Sequence, residues 1–310
     1  MGEIKVVSVN ISEEKGVIKK PVEEILLNEK GIEKDAHAGD WHRQVSLLAK
    51  ESIEKFEEVL GRKLEYGEFA ENITTEGITL YKAKPGDRIY IGDVELEVTQ
   101  IGKKCHGDGC AIFSQVGKCV MPKEGIFAKV LKTGTVKAGD KIKYLPKVIK
   151  VFIVTLSDRA SKGEYEDKSG PKIYEMISNY YKSLEMEHFI DHQIIPDDAS
   201  KLDMILENAK EEMYDVVITT GGTGIGPRDI TVETVQSKLD KEIPGIMEMI
   251  RIKYGQEKPN ALLSRGVAGV MGNSLVYTLP GSVKAVQEYM TEILKTLQHL
   301  IYMLHEIDAH

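Results

Sequence analysis

Apolar and polar residues alternate along much of the first half of the chain, and this pattern predicts a β-rich region. Residues 5–9 form a short strand-like run, and residues 18–30 and 89–98 alternate with the period of two that half-buried strands show. Glycine-containing turns punctuate the short runs between Tyr66 and Val98. Residues 50–60 instead have helical spacing. The pattern therefore predicts an antiparallel β domain with a helix.

Strand-like and helix-like patterns alternate in the second half, which predicts a mostly parallel sheet covered by helices on both faces. Apolar runs predict strands at residues 150–156, 188–195, 216–218 and 274–279. Periodic segments predict helices from Pro171, over residues 200–213, from Thr231, and over residues 244–254 and 282–307. Pro146 breaks regular structure in a short segment between the halves, so we predict two domains, residues 1–146 and 147–310.

Composition is that of an ordinary globular protein, and it argues against two classes of partner. The net charge of −8 is unevenly shared: residues 1–146 hold 23 basic and 24 acidic side chains, and residues 147–310 hold 18 and 25. Without a basic stripe, nucleic-acid binding is not indicated. Neither a signal-peptide pattern nor an apolar run of membrane-spanning length occurs, so we expect no membrane partner and a cytoplasmic location.

Residues 214–233, YDVVITTGGTGIGPRDITVE, combine a buried strand, a glycine-rich loop and a helix start. This is the usual place for an anionic ligand in α/β folds, because glycines let backbone N–H groups approach a phosphate. A P-loop is excluded, since no lysine lies between Tyr214 and Glu233. The spacing of Gly222, Gly224 and Gly226 also does not fit the dinucleotide fingerprint.

Arg228 and Asp229 follow these glycines. Arginine can clamp a phosphate bidentately. A carboxylate would be repelled by bound phosphates, so Asp229 is better explained as a Mg²⁺ ligand or a base. The alternative is a tight strand-to-helix turn in which Asp229 caps the helix.

The string TTGGTG…RDITVE resembles the signature of the molybdopterin adenylyltransferase family, which includes the G domain of gephyrin. The usual pattern has proline where this chain has Val232. The resemblance runs from Lys150 to about Gln298 through SDRAS, DKSGP, IPDD, LSR and LPG. It implies a three-layer α/β domain with a mostly parallel sheet, the molybdopterin-binding fold.

The resemblance also implies that Asp197 and Asp229 are essential and bind Mg²⁺ together with ATP, although Asp198 leaves the first match open to a one-residue shift. In adenylyl transfer the attacking pterin phosphate is already ionised, so we interpret both carboxylates as metal-binding and positioning groups rather than bases. The substrate- and nucleotide-binding positions that it implies are Ser157, Asp158, Ser161, Thr220, Gly221, Gly222, Thr223, Gly224, Arg228, Ser264, Arg265, Pro280 and Gly281.

Three cysteines, Cys105, Cys110 and Cys119, lie in one segment of the first half. An odd number does not make a disulfide framework. Two lysines and a histidine flank Cys105, and nearby cations favour a reactive thiolate. No CxxC pair occurs and the spacings match no standard zinc module, while inert buried cysteines are a further alternative.

The strings DAHAGDWHRQVSL, GEFAENI and MPKEGIFAKVL…VKAGDKI are similar to the MOSC domain over residues 5–144. That family has a β-rich, barrel-like fold and is associated with molybdenum-cofactor sulfurases. The resemblance implies a functional cysteine, matched by Cys105 with Cys110 second, and an early motif that holds His37, His42 and Arg43. The alternative for these polar residues is a structural role under a sheet.

Together the resemblances imply an enzyme of molybdenum-cofactor assembly. The C-terminal domain would adenylylate molybdopterin with Mg-ATP, and the MOSC domain would bind, sulfurate or hand on the cofactor, without pyridoxal phosphate. One alternative is a non-catalytic carrier or scaffold that binds molybdopterin, and another is a MOSC domain acting as a separate sulfur carrier or detoxifying reductase. The implied partners are molybdopterin, ATP, other cofactor-assembly enzymes or molybdoenzymes, and two further copies in a homotrimer.

Overall fold

The structure is a computed structural model, and it describes residues 3–103, 119–305 and 307. Contacts between Cα atoms divide the chain into two compact units. One consists mainly of residues up to Lys147, and the other of Val148–His305.

The N-terminal unit contains an eight-stranded sheet and a three-stranded sheet. The strands are β1 (Lys5–Ile11), β2 (Lys20–Val22), β3 (Glu24–Asn28), β4 (Gly31–Ile32), β5 (Val45–Ala49), β6 (Ile73–Glu76), β7 (Arg88–Ile91), β8 (Val94–Ile101), β9 (Ile126–Lys132), β10 (Gly134–Lys137) and β11 (Ile142–Leu145). The helices are α1 (Lys50–Leu60) and α2 (Met121–Glu124), with a 3-10 turn at Leu80–Lys82. The strand orders are β11-β7-β8-β9-β5-β6-β1-β2 and β10-β3-β4, and the β5–β6 pair is parallel.

The larger sheet curls until strands near its two ends meet. The Val6 N–H donates to the Asp140 carbonyl at 2.8 Å, and the Ile142 N–H donates to the Ile4 carbonyl at 2.8 Å. These bonds join β1 to the start of β11, and a core of buried valine, leucine and isoleucine side chains lies within. The β-rich, barrel-like fold predicted for this half is confirmed.

The C-terminal unit is built on one six-stranded sheet in the order β13-β12-β14-β17-β16-β15. The strands are β12 (Ile149–Leu156), β13 (His188–Ile195), β14 (Val216–Thr220), β15 (Lys241–Glu242), β16 (Ala268–Met271) and β17 (Ser274–Leu279). The first four strands in that order are parallel, and β16 and β15 are antiparallel additions. The helices are α3 (Asp158–Ser161), α4 (Ser169–Ser183), α5 (Ala199–Glu211), α6 (Thr231–Gln236), α7 (Pro244–Gly255), α8 (Val283–Ile293) and α9 (Leu297–Leu304), with a 3-10 segment at Pro259–Leu263.

Hydrophobic clusters cover both faces of this sheet. Ile153 of β12 packs in a cluster with α4, α7, α8 and α9, whereas its neighbour Val154 packs in a cluster with α5 and α6. Because successive side chains of a strand point to opposite faces, a strand buried on both sides has an unbroken apolar run. The predicted three-layer α/β domain with a mostly parallel sheet is confirmed.

Two predicted helices differ in detail. The helix predicted over residues 282–307 is divided into α8 and α9, with residues 294–296 between them. Helix α4 begins at Ser169, so Pro171 lies in its first turn, where a missing N–H breaks no intrahelical bond. Among the described residues, no helix combines the length and the apolar character needed to cross a membrane.

Candidate active site

The loops that carry the predicted site residues leave the carboxyl ends of the four parallel strands. Strand β12 ends at Leu156, β13 at Ile195, β14 at Thr220 and β17 at Leu279. Parallel strands end at the same edge of a sheet, which is where ligands bind in this class of fold. The fold therefore brings together loop residues that are up to 124 positions apart, from Ser157 to Gly281.

The glycine loop requires glycine at its start. Gly221 and Gly222 have φ values of +100° and +64°, a region that other residues rarely adopt. A Cβ atom on Gly221 would overlap the carbonyl oxygen of Leu156, and one on Gly222 would overlap Oγ1 of Thr231. The β14 loop thus lies directly against the end of β12, and only a residue without a side chain fits.

Hydrogen bonds tie this loop to its neighbours. The Gly221 N–H donates to the Leu279 carbonyl at 2.9 Å, and Oγ1 of Thr231 donates to the Gly221 carbonyl at 2.9 Å. Oγ1 of Thr220 donates to the Pro280 carbonyl at 3.0 Å. The loop is therefore joined to the β17 turn and to α6 through its backbone.

Arg265 braces the same loop from the other side. Its Nε donates to the Gly224 carbonyl at 2.8 Å, its guanidinium pairs with Glu233, and its backbone N–H donates to the Thr223 carbonyl at 3.2 Å. Its side chain is thus already engaged with protein groups. Arg228 is different, because its side chain is 78% exposed and contacts Asp158 at 3.1 Å.

Three carboxylates and one guanidinium cluster beside the glycine loop. The Asp197 N–H donates to Oδ1 of Asp158 at 3.1 Å, and the Asp158 N–H donates to Oδ2 of Asp197 at 3.4 Å. Burial raises the pKa of Asp197, and the charges of Asp158 and Asp229 raise it further against the opposing effects of the Asp158 N–H and Arg228. A cation bound here would relieve this repulsion.

The structure separates Asp197 from its neighbour Asp198. Oδ1 of Asp198 accepts hydrogen bonds from the N–H groups of Ser200 at 2.9 Å and Lys201 at 3.1 Å, so Asp198 is the N-cap of α5. A capping carboxylate of this kind stabilises a helix start. Asp197 is the residue of this pair that contacts Asp158.

Asp229 does not cap the following helix. Its Oδ2 accepts the Gly226 N–H at 2.7 Å, within the loop itself. Helix α6 begins at Thr231 after Ile230 and has no side-chain cap. The helix-cap interpretation of Asp229 is therefore wrong, because the carboxylate closes the glycine loop instead.

Two cavities border the Pro280–Ser282 turn, and Ser282 lines both. We call the first the β12 cavity; its volume is about 320 Å³ and its polar lining includes Ser157, Arg159, Asp167, Lys168 and Ser169. We call the second the lysine cavity; its volume is about 360 Å³ and its polar lining includes Thr223, Lys258, Asn260, Ser264, Lys284 and Glu288. Of the predicted positions, Thr220 and Gly281 also line the β12 cavity, and Gly224 and Pro280 also line the lysine cavity.

The remaining predicted serines lie in or beside this region. Ser157 caps α3, accepting the Ala160 N–H at 3.2 Å, and Oγ of Ser161 donates to the Asp158 carbonyl at 2.9 Å. Oγ of Ser264 is 3.4 Å from the Gly266 N–H. Ser161 is thus placed next to the carboxylate cluster and is exposed to solvent.

Asp167 lines the β12 cavity, although the sequence analysis cited it only within the string DKSGP and did not name it as a candidate site residue. Its carboxylate accepts hydrogen bonds from the hydroxyl groups of Thr155 at 2.7 Å and Ser169 at 2.8 Å, and Nε2 of His192 lies 3.2 Å from Oδ2. Burial would raise the pKa of Asp167, but the hydrogen bonds from Thr155 and Ser169 lower it overall. Its position two residues before the start of α4 was the available signal.

In the N-terminal unit, His37 belongs to a buried polar cluster. The Asp35 carboxylate pairs with Lys19, and both side chains are only 1% exposed. Nδ1 of His37 lies 3.3 Å from Oδ1 of Asp35. Burial would raise the pKa of Asp35, but the hydrogen bond from His37 and the charge of Lys19 hold it well below its usual range. Asp35 and Lys19 were also missed.

Arg43 lies over an aromatic surface. Its guanidinium carbon is 4.8 Å from the centre of the Trp41 ring and 5.8 Å from that of Phe127. Within the described part of the chain its buried Nε has no hydrogen-bond partner. Nε2 of His42 is 3.0 Å from Oε1 of Gln100. Cys105 and Cys110 lie outside the described residues.

Comparisons with known proteins match the two units separately. The family model described as "Probable molybdopterin binding domain" matches residues 152–299, and the MOSC domain model matches residues 34–143. Both families named in the sequence analysis are therefore confirmed.

Individual relatives match the C-terminal half. The chain is 38% identical over 164 residues to a molybdopterin adenylyltransferase of Pyrococcus furiosus, covering 51% of this chain and 93% of the relative. It is 38% identical over 168 residues to molybdenum cofactor biosynthesis protein B of Bacillus cereus, covering 53% and 95%. It is 34% identical to gephyrin of Dictyostelium discoideum, but spans only 22% of that protein. The crystal structure of the tungsten cofactor synthesizing protein MoaB of Pyrococcus furiosus aligns with 51% of this chain and 98% of that one, with a TM-score of 0.46.

Proposed function

This chain belongs, through residues 152–299, to the family of molybdopterin-binding domains, and from that premise we propose that its C-terminal unit is a molybdopterin adenylyltransferase. The observation that carries the proposal is the carboxylate cluster of Asp158, Asp197 and Asp229 beside the glycine loop, with two cavities that border the neighbouring Pro280–Ser282 turn. A transferase that joins two phosphate-bearing substrates must hold both of them close together, beside groups that stabilise the charge of the reacting phosphates.

The residues present fit a magnesium ion that arrives with the nucleotide. No group of three or more histidine, cysteine or acidic side chains in the described residues could hold a metal by itself. Mg²⁺, however, usually binds through one or two carboxylates together with substrate phosphates. Asp197 and Asp229 supply two such carboxylates, and when bound the ion would neutralise charge on the reacting phosphates.

In the proposed reaction an oxygen of the terminal phosphate of molybdopterin attacks the α-phosphorus of ATP. A new phosphorus–oxygen bond forms, and the bond from the α-phosphorus to the oxygen bridging to the β-phosphate breaks. Adenylylated molybdopterin and pyrophosphate are the products. Since the attacking phosphate is already an anion at neutral pH, the protein must position two anions rather than remove a proton.

The chain's own groups would do this positioning. Backbone N–H groups of the glycine loop would donate to phosphate oxygens. The exposed Arg228 guanidinium would bind a phosphate bidentately, and this phosphate would compete with the Asp158 carboxylate for the guanidinium. Arg265, already bonded to the Gly224 and Thr223 carbonyls, would hold the loop in place.

For the N-terminal unit the proposal is binding of the cofactor for sulfuration or transfer. The support is the cluster of His37, Asp35 and Lys19, together with Arg43 over the Trp41 ring. A histidine oriented by a buried carboxylate is a common way to present a ring nitrogen to a ligand.

The test is to incubate the whole chain with molybdopterin, ATP and Mg²⁺ and to quantify adenylylated pterin and pyrophosphate. Catalysis predicts that the two products appear in equal amounts over many turnovers. Tight binding of molybdopterin without either product would instead identify a carrier or scaffold.

A further inference from the structure

Strand β13 lies at the edge of the six-stranded sheet, and we propose that its outer side is a docking surface for a second copy of this chain. The two β13 strands would pair antiparallel about a two-fold axis and join two sheets into one. The proposal concerns assembly and does not depend on the proposed adenylyl transfer.

The outer side of β13 presents a row of backbone hydrogen-bonding groups. Among the described residues, β13 pairs with β12 alone. The Ile149 N–H donates to the Glu187 carbonyl and the Ser157 N–H donates to the Ile195 carbonyl, both at 2.9 Å. Since successive residues of a strand direct their backbone groups to alternate sides, the odd-numbered residues face β12. The even-numbered residues therefore direct their N–H and C=O groups outward: His188, Ile190, His192 and Ile194.

Strand β13 lacks the features that usually protect a sheet edge from pairing. Its eight residues include neither lysine nor proline, and its register with β12 is continuous. The carboxylate of its one acidic residue, Asp191, accepts a hydrogen bond from the Tyr214 hydroxyl. Phe189 is 49% exposed and Ile194 is 39% exposed. The opposite edge strand, β15, is only two residues long, and both are charged and exposed. Long, apolar and unprotected edges are templates for another strand, so β13 is the edge that a partner would cover.

The sequence of β13 complements itself when the two-fold axis passes through His192. Ile190 of each copy then lies opposite Ile194 of the other, and Asp191 lies opposite Gln193. Apolar side chains thus face apolar ones and polar side chains face polar ones, which are the pairs that stabilise antiparallel strands. The outward backbone groups of residues 190, 192 and 194 meet in the same register and would form about six hydrogen bonds.

The neighbouring registers are less favourable. An axis through Asp191 would bring the two Asp191 carboxylates directly opposite each other, and like charges in such pairs are destabilising. An axis through Gln193 would place Asp191 opposite Ile195 and His192 opposite Ile194, so that polar side chains face apolar ones. One preferred register about a two-fold axis is what a closed homodimer requires, whereas an unrelated partner strand would not require β13 to complement itself.

Disulfide cross-linking of the full chain tests the register. H192C places two thiols at the axis, where the Cα atoms of a hydrogen-bonded antiparallel pair lie about 5.5 Å apart, within the range of a disulfide. Q193C is the matched control, because each Gln193 lies opposite Asp191 and the two Gln193 Cα atoms would be more than about 7 Å apart. After mild oxidation, H192C should give a disulfide-linked dimer that Q193C and the wild-type chain do not give.

Charge at Gln193, which is exposed, tests the same pairing in both directions. Q193K should tighten the association of the full chain about threefold to tenfold, because each contact would gain two ion pairs with Asp191. Q193D should weaken association by a similar factor, because it places like charges opposite each other. Sedimentation velocity over a range of protein concentrations measures both, whatever assembly other surfaces of the chain form.

Tighter association in Q193K is a gain that a damaged fold would not produce. The absence of a linked dimer in H192C would overturn the proposed pairing, as would cross-linking of Q193C in its place. Changes of the same direction in Q193K and Q193D would also overturn it, because Asp191 would then not lie opposite Gln193.

Discussion

Asp158 and Asp197 hold each other through reciprocal hydrogen bonds, in which the backbone N–H of each donates to the carboxylate of the other at 3.1 and 3.4 Å. The two residues follow adjacent parallel strands, β12 and β13, so the pairing of the strands sets the pairing of the carboxylates. Arg228 then reaches Asp158 from the glycine loop at 3.1 Å. Three loops thus meet at one charged point.

Asp197→Asn should lower turnover about 100-fold or more, because it removes a negative charge proposed to hold the metal in the transition state. Asp198→Asn is the matched control: asparagine is as good an N-cap as aspartate, so turnover should stay within about twofold. Steady-state kinetics of both variants decide the question. Loss of activity in Asp198→Asn alone would shift the essential carboxylate by one residue.

Asp229→Asn should preserve the conformation of the glycine loop but strongly lower the rate of adenylyl transfer. The remaining side-chain oxygen can still accept the Gly226 N–H, so molybdopterin binding should change little while turnover falls about 100-fold. The control is Asp240→Asn, since Asp240 accepts the Gly272 N–H in the same way at 2.6 Å but does not belong to the site. Turnover near the wild-type value in Asp229→Asn would show that its charge is not required.

Gly221→Ala should be strongly destabilising for two reasons, backbone strain at positive φ and overlap of the new Cβ with neighbouring backbone. Gly163→Ala introduces the strain without the overlap and so separates the two contributions. Both glycines have positive φ, +100° and +75°, but only at Gly221 would a Cβ meet backbone, the Leu156 carbonyl. We expect about 1 kcal/mol for Gly163→Ala, from φ alone, and about 3 kcal/mol or more for Gly221→Ala. Denaturant unfolding of both variants measures this, and equal losses would mean that the loop yields to the added methyl group.

Glu71 should make the N-terminal unit less stable as the pH rises. The residue is fully buried, and burial raises its pKa to about 7 despite hydrogen bonds from Gly67, Phe69 and Thr74. A carboxyl group whose folded-state pKa lies above the unfolded value of 4.5 contributes stability below pH 4.5, and this contribution is lost as the pH rises through 7. From the size of the shift, the loss between pH 4.5 and pH 8 should be about 3 kcal/mol.

The measurement is urea unfolding at pH 5 and pH 8, followed by the fluorescence of Trp41. This is the single tryptophan of the chain and it lies in the N-terminal unit. Glu71→Gln cannot ionise, so the stability difference between the two pH values should shrink relative to the wild-type chain. If the wild-type chain and Glu71→Gln show the same pH dependence of stability, titratable groups other than Glu71 cause it.

A fragment beginning at Lys147 should fold and keep all adenylylation activity. Its two hydrophobic clusters are formed entirely by residues 149–301, and the chain covers 93% of the Pyrococcus furiosus relative with this half alone. Circular dichroism melting and product formation test the two parts of the prediction. A well-folded fragment without activity would mean that the N-terminal half contributes to the site.

Much of the C-terminal fold follows from local sequence. The apolar runs of β12 and β14 predict strands buried on both faces, and the glycines after Thr220 predict a loop that approaches other backbone. These features are readable because strand period and glycine's access to positive φ are properties of a few neighbouring residues. The division of the last helix at residues 294–296 was missed, since its apolar pattern continues through the break.

The roles of individual charged side chains could be predicted from the sequence only in part. The sequence by itself determined that Asp197, Asp198, Arg228 and Asp229 lie in loops at one edge of a parallel sheet. Only the tertiary structure decided that Asp198 caps a helix, that Asp229 closes its own loop, and that Asp197 pairs with Asp158 across 39 residues. The raised pKa of Glu71 was decided in the same way. Coulomb energy and desolvation depend on distance and burial in three dimensions, and neither quantity is encoded in the spacing of residues along the chain.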